Sequence, residues 1–113
     1  MSQPRDGSDT DAVLLLARAP DRSEAERLGE ALVEKRLAAS GSVVPMIHSF
    51  FQGHGQLQRQ HEALLLVTTS MARSAAAQAE LKALHSYENP EILELRVSGG
   101  SATYLDWLLA EVR

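Results

Sequence analysis

The feature that most constrains this chain is a pair of long extended segments joined by a short turn. Val43 to Phe51 and Leu57 to Thr69 both have strand character, and Gln52-Gly53-His54-Gly55 between them contains the glycines of a hairpin connection. Pro45 has no backbone N–H to donate, so it confines the first arm to a sheet edge or to a bulge. The centre of the chain is therefore predicted to be a long antiparallel hairpin.

A strand and a helix precede this hairpin. The run Val13-Leu14-Leu15-Leu16 is short and apolar on both faces, which favours a central strand. Ser23 and Glu26 have the Ser-x-x-Glu spacing of a capping box, which predicts the start of a helix. The apolar stripe of that helix consists of Ala25, Leu28, Leu32 and then Leu37 or Ala38.

A helix, a strand and a last helix follow the hairpin. Ser70 is a plausible N-cap for an alanine-rich helix that runs to Leu84. Pro90 prevents its continuation, and Ile92 to Val97 then alternates apolar and charged residues, as a strand with one wet face does. Ser101 can cap a terminal helix.

The element order is therefore β-α-β-β-α-β with a C-terminal helix. This order predicts an α+β fold of the ferredoxin-like type, an antiparallel sheet with helices on one face and a long hairpin between its second and third strands. With 113 residues, of which 44% are hydrophobic, the chain has room for a single domain. We predict a flexible, polar tail over residues 1–11 and the domain over residues 12–113.

Composition excludes several classes of partner. The net charge is −4, aromatic residues make up 4% of the chain, and no basic run is present, which argues against a nucleic-acid surface. No apolar stretch approaches the roughly 20 residues of a membrane span. The chain has no cysteine, so disulfides and thiolate metal ligands are excluded, and a cytoplasmic location is expected.

Most of the chemically useful side chains lie between Leu84 and Ile92, where helix gives way to strand. His85, Tyr87 and Glu88 combine an imidazole, a phenol and a carboxylate within four residues. One interpretation is structural, because a histidine in the last turn of a helix suits the negative end of the helix dipole. The other is a small site that accepts a metal ion or an anion.

Three further histidines lie in or near the hairpin. His54 and His61 flank its turn and could face each other across the two arms, as a pair of imidazoles for Cu(II), Zn(II) or Ni(II). The alternative is that both are simply solvated. His48 is expected to be a satisfied histidine in the core or in an interface.

Catalysis has little support in the sequence. Tyr87, Glu88 and His85 could serve acid–base chemistry, but no nucleophile, cofactor fingerprint or metal motif accompanies them. We therefore expect a protein that is not an enzyme.

Four blocks of sequence together resemble the CutA divalent-cation tolerance family, from about Val13 to Val112. The block from Lys82 to Ile92 is similar to the family signature His-Pro-Tyr-Glu-x-Pro-Glu-Ile, and the block from Tyr104 to Leu108 is similar to the family's closing Tyr-x-x-Trp block. The blocks are Ala19-Pro20-Asp21 with Ala25; Leu32-Val33-Glu34 with Arg36-Leu37-Ala38-Ala39; Lys82-Ala83-Leu84-His85-Ser86-Tyr87-Glu88-Asn89-Pro90-Glu91-Ile92; and Tyr104-Leu105-Asp106-Trp107-Leu108.

The resemblance implies a homotrimer that is cytoplasmic, has no established catalytic activity and is associated with tolerance to copper and other divalent cations. It implies a metal site at His85, with copper as the expected ion, and a cleft between subunits formed by Glu62, Lys82, Tyr87 and Glu88. The alternative for the cleft is a cluster of ion pairs that fixes the register of the trimer. The alternative function is that of a trimer similar to the PII signalling proteins, which would bind a small anionic effector or a partner segment between subunits.

The chain departs from the family pattern at three positions relevant to the site. Ser40 stands where many relatives have cysteine, Ser86 replaces the proline of the signature, and Thr68 replaces a lysine late in the third strand. Without the cysteine, the soft ligand that Cu(I) prefers is missing.

Overall fold

A computed structural model of the chain describes residues 10–113, so the predicted tail over residues 1–11 lies almost wholly outside the described residues. The described part forms four strands and three helices in the predicted order. They are β1 (Ala12–Ala19), α1 (Arg22–Glu34), β2 (Ser40–Gly53), β3 (Gln56–Ser70), α2 (Met71–Leu84), β4 (Ile92–Arg96) and α3 (Ala102–Glu111).

The four strands form one antiparallel sheet in the order β2-β3-β1-β4. This order is that of the split βαβ arrangement, which confirms the predicted α+β, ferredoxin-like fold. Within residues 10–113, no helix is long and apolar enough to cross a membrane.

The hairpin of β2 and β3 is the longest feature of the sheet. His54 and Gly55 connect its arms with φ angles of 54° and 75°. Two successive positive φ values are characteristic of a type I′ turn, whose twist matches that of the flanking strands. The pairing shifts between Val44 and Ile47, where Pro45 interrupts the ladder. The sequence left a sheet edge or a bulge open for Pro45, and both are found, since β2 is an edge strand and its pairing shifts there.

α1 and α2 cover one face of the sheet, and the core lies between them and the two central strands. The residues of this core are each at most 2% exposed, and the burial of one leucine side chain stabilises the fold by roughly 1.5–3 kcal/mol. The core includes Val13, Leu15 and Ala17 of β1, Ala63, Leu65 and Val67 of β3, Leu28 and Leu32 of α1, and Ala77 and Leu81 of α2.

The opposite face of the sheet is apolar, and α1 and α2 do not cover it; α3, with Leu108 and Val112 buried, packs against β1 and β3. We call it the open face and define it by Leu14, Leu16, Leu66, Leu93 and Leu95. Leu16 pairs with both Leu66 and Leu93, while Leu93 and Leu95 are 52% and 42% exposed. β4 thus has two exposed faces within one chain, because its register turns its leucines away from the helices.

Both ends of α1 differ from the prediction. The helix ends at Glu34 with Lys35 as its C-cap, so Leu37 and Ala38 lie beyond it. Its start differs in a way that matters for the site. Asp21, not Ser23, is the N-cap: its backbone is extended and its carboxylate accepts a hydrogen bond from Glu24 N at 2.8 Å. Aspartate is among the best capping residues, and Asp21 follows Pro20, the first residue after β1. Glu24 therefore lies in the first helical turn, where it is buried.

Candidate ligand site at the helix-to-strand loop

His85 is the C-cap of α2, where the chain changes from helix to extended backbone. Its own N–H still donates to Leu81 O at 3.0 Å, while its φ and ψ of −71° and 142° direct the next residue out of the helix. The imidazole side chain is 0% exposed. The loop therefore holds this ring inside the protein rather than presenting it to solvent.

Both ring nitrogens of His85 have hydrogen-bond partners. Nε2 lies 2.6 Å from Arg18 O, and Nδ1 lies 3.0 Å from Tyr87 N. A carbonyl oxygen can only accept and a backbone N–H can only donate, so Nε2 carries the proton and Nδ1 presents its lone pair. The fold thus fixes one neutral tautomer.

Glu24 of α1 meets the loop beside Nδ1. Its Oε2 lies 3.4 Å from His85 Nδ1 and accepts hydrogen bonds from Ser86 N at 2.9 Å and from Ser86 Oγ at 2.8 Å. A proline at position 86 would have neither donor. Ser86 therefore compensates for the missing signature proline by binding the buried carboxylate.

A second cluster connects the loop to the base of the hairpin. Tyr87 Oη donates to Glu62 Oε2 at 2.8 Å, and Glu62 is 5% exposed. Arg18 Nη1 is 4.0 Å from Glu62 Oε1, and Arg18 Nε is 2.9 Å from Glu91 Oε2. Two carboxylates thus share one guanidinium, which makes the cluster a poor receptor for an anion.

The electrostatic environment holds Tyr87 in its protonated form. Burial raises the pKa of the Tyr87 phenol, and the hydrogen bond to Glu62 and the charge of that carboxylate raise it further. Tyr87 is therefore a hydrogen-bond donor throughout the physiological pH range.

The residues predicted for the cleft are brought together only in part. Glu62 and Tyr87 meet, whereas Lys82 and Glu88 are exposed, and in the described part of the chain no hydrogen bond or ion pair joins either of them to that pair. Sequence reasoning missed Arg18 and Glu24. Arg18 contributes through the pairing of β1 with β3, and Glu24 through the Asp21 cap, whose Asp-x-x-Glu spacing was a usable sequence signal.

The hairpin histidines are arranged differently from the prediction. His54 occupies the turn itself and does not face His61. His61 is directly opposite His48, with ring centroids 4.6 Å apart. His48 is exposed in the single chain, which excludes the core, the first of its two expected positions; a position in an interface between subunits stays a prediction. In residues 10–113, no cluster of three or more His, Cys, Asp or Glu side chains is arranged to hold a metal ion.

Comparison with protein families and curated proteins gives one consistent result. Residues 13–111 match the family model described as CutA1 divalent ion tolerance protein. The chain is 41% identical over 103 residues to the divalent-cation tolerance protein CutA of Pectobacterium atrosepticum, covering 91% of this chain and 94% of that protein.

Comparison with solved structures points to the same family. The crystal structure of CutA from Xylella fastidiosa superposes with a TM-score of 0.89 at 34% identity, covering 92% of this chain and all (100%) of that one. The protein from Archaeoglobus fulgidus superposes with a TM-score of 0.87 at 33% identity, covering 90% and 99%, and is described as a periplasmic divalent cation tolerance protein CutA.

That description contradicts the cytoplasmic location predicted from the sequence, which is therefore wrong. The prediction relied on the absence of cysteine and on what the family resemblance implied. A chain without thiols offers nothing for an oxidising compartment to oxidise, so the absence of cysteine does not distinguish one compartment from another.

Proposed function

The chain belongs to the CutA1 divalent ion tolerance protein family, and from that premise we propose that it binds a divalent cation between Nδ1 of His85 and the carboxylate of Glu24. The observation that carries this proposal is the 3.4 Å separation of Nδ1 and Glu24 Oε2. Two ligands with bonds of about 2.0–2.1 Å to one tetrahedral ion lie about 3.3 Å apart. The pair therefore needs little rearrangement to share an ion.

The other side of the ring supports the same proposal. Histidines that bind metals usually donate their second ring N–H to a carbonyl or carboxylate, which fixes the tautomer and the ring orientation. The bond from Nε2–H to Arg18 O does this for His85. It leaves the Nδ1 lone pair directed toward the loop.

Binding at this position is expected to be modest. The ion must displace the Tyr87 N–H from Nδ1 and weaken the two bonds from Ser86 to Glu24, and it must shed water to enter a buried site. Imidazole and carboxylate ligands suit Cu(II) and Zn(II), of which Cu(II) binds more tightly to a given site. We propose copper(II) as the tightest-binding ion.

The proposed role is binding rather than catalysis. General acid–base groups work best with a pKa near the operating pH. The pKa of Tyr87 is raised away from neutrality by burial and by Glu62, and both nitrogens of His85 are already hydrogen-bonded.

We also propose that the functional unit is a homotrimer whose subunits cover one another's open faces. An apolar sheet face needs a covering layer, and in the single chain Leu93 and Leu95 of this face are still 52% and 42% exposed. A small anionic ligand in the clefts is not favoured, because the Arg18 cluster has more carboxylates than guanidinium groups.

The test uses a chain in which His48, His54 and His61, all exposed, are replaced by alanine, so that His85 is the single histidine. Calorimetric titration with Cu(II) and Zn(II) is expected to show one saturable site per chain. Glu24→Gln in the same background retains the carbonyl oxygen but lowers ligand charge, and should weaken binding about tenfold or more. A folded chain of unchanged molar mass that binds neither ion would overturn the proposal and leave His85 a purely structural residue.

A further inference from the structure

The position of His48 opposite His61 is fixed from both ends of the hairpin. At one end the type I′ turn at His54-Gly55 sets the pairing of the arms, and at the other the bulge between Val44 and Ile47 pins the register. Directly opposed residues project from the same face of a sheet, with Cβ atoms about 4.5–5.5 Å apart. The two imidazoles are therefore held together by the backbone rather than by an accidental surface contact.

The rings have the spacing of two ligands on one ion. Their centroids are 4.6 Å apart and their planes are inclined by 86°. With metal–nitrogen bonds of about 2.0–2.1 Å, the centroids of two imidazoles lie roughly 4.5 Å apart at neighbouring positions of a square-planar ion and roughly 5.2 Å apart on a tetrahedral ion, so the observed spacing fits the square-planar arrangement better. Both histidines are exposed in the single chain, where an ion and its remaining water ligands have access.

We propose that His48 and His61 form a second metal site, independent of His85, that chelates a borderline divalent cation such as Cu(II), Ni(II) or Zn(II) from the two arms of the hairpin. The site opens into a hollow of about 350 Å³ lined by His48, Ser49, Phe50, Arg59, Gln60 and His61. That space accommodates the waters that complete the coordination of a site with two protein ligands.

The charged residue that lines the hollow, Arg59, is positive and lowers the affinity of the site for a cation. Arg59 belongs to the next pair on the same face, opposite Phe50, and its guanidinium carbon lies 5.8 Å from the centre of the Phe50 ring. This position is stabilised by a cation–π interaction with Phe50. The net charge of −4 favours approach of a cation to the molecule as a whole.

Metal preference follows from the ligands. Imidazole binds Cu(II), Ni(II) and Zn(II) well, whereas Mg(II) and Ca(II) prefer oxygen. Cu(II) is expected to bind tightest, in the order that a given nitrogen site generally shows. Both ligands lie at the surface of the single chain, so the ion is taken up without opening the core.

The test follows the side-chain imidazole resonances of the full chain by NMR while NiCl2 or CuCl2 is added. Paramagnetic ions broaden nearby nuclei, and residues 10–113 contain four histidines, His48, His54, His61 and His85. We expect the His48 and His61 signals to broaden together at substoichiometric ion, before those of His54 and His85. His48→Ala and His61→Ala should each weaken binding about tenfold or more, and His54→Ala should leave it unchanged.

Two outcomes would overturn the proposal. One is equal broadening of His54, which would mean independent surface histidines. The other is an affinity that survives loss of either His48 or His61. Binding at His85 is read from its own resonances, so failure here and failure of the His85–Glu24 site are distinguishable.

Discussion

The hydroxyl oxygens of Ser40 and Thr68 lie 2.6 Å apart across the pairing of β2 with β3. At both positions the chain departs from the family pattern that its resemblance to CutA implies, with cysteine in many relatives at the first position and a lysine late in the third strand at the second. The register of the hairpin brings the two departures into contact, so they form a matched pair. Two hydroxyls stand where the family pattern implies a thiol and an amine, and a serine at position 40 does not offer the soft ligand that Cu(I) favours.

Restoring the thiol should therefore restore Cu(I) binding. Ser40→Cys is expected to compete with a chromophoric Cu(I) chelator under reducing conditions, whereas the unaltered chain should not. Ser42→Cys is the control, because Ser42 is an exposed position on the same strand. If Ser42→Cys withdraws Cu(I) from the chelator equally well, the gain belongs to any accessible thiol and position 40 has no special role.

The sequence predicted the elements and their order because each has a local cause. Pro45 produced the bulge, Ser70 and Ser101 cap their helices, and Pro90 separates α2 from β4. What it could not predict was which face of β4 the helices cover. The alternation of Leu93 and Leu95 with charged residues is the same whether a strand packs on its own helices or on another subunit.

The candidate site was predictable to a smaller extent. The position of His85 at the end of α2 followed from the sequence, but its bond to Arg18 O depends on how β1 lies against the loop. The pairing of His48 with His61 follows once His54-Gly55 is identified as the two-residue turn. The usual sequence markers of a type I′ turn are Asn-Gly and Asp-Gly, so a His-Gly turn is difficult to recognise.

Removing the Tyr87 hydroxyl should change both stability and alkaline titration. The folded pKa of Tyr87 is raised above the reference value of 10.0 by burial and by Glu62. The stability this provides is fully present below about pH 10 and is lost as the pH rises through the folded pKa. Tyr87→Phe should lower the free energy of unfolding at pH 7 by about 1–3 kcal/mol, because it leaves the buried Glu62 carboxylate without its phenol donor.

Absorbance at 295 nm follows the ionisation of tyrosine, and replacing Tyr104 leaves Tyr87 as the single tyrosine of the chain. In a Tyr104→Phe chain, the remaining phenol should ionise later than free tyrosine and together with alkaline unfolding. Early ionisation in that variant would mean that the hydrogen bond from Tyr87 to Glu62 does not form in solution.

Restoring the signature proline should destabilise this particular chain. Ser86→Pro removes both donors to Glu24 Oε2, whereas Ser86→Ala removes only the hydroxyl. Each bond to a buried carboxylate contributes about 1.5–3 kcal/mol, so urea denaturation should rank the stabilities as unaltered chain, then Ser86→Ala, then Ser86→Pro. A proline variant as stable as the unaltered chain would indicate that Glu24 finds other partners.

Placing a charge on the open face should prevent assembly. Leu95 and Leu84 are both 42% exposed, but Leu95 lies on the open face of the sheet and Leu84 at the end of α2. A carboxylate buried in an apolar interface is strongly unfavourable without a partner, so Leu95→Glu should convert a trimer into monomers in light scattering. Leu84→Glu should retain the trimer mass. Assembly that survives Leu95→Glu would exclude the open face as the contact between subunits, and a loss of assembly in both variants would point to general destabilisation instead.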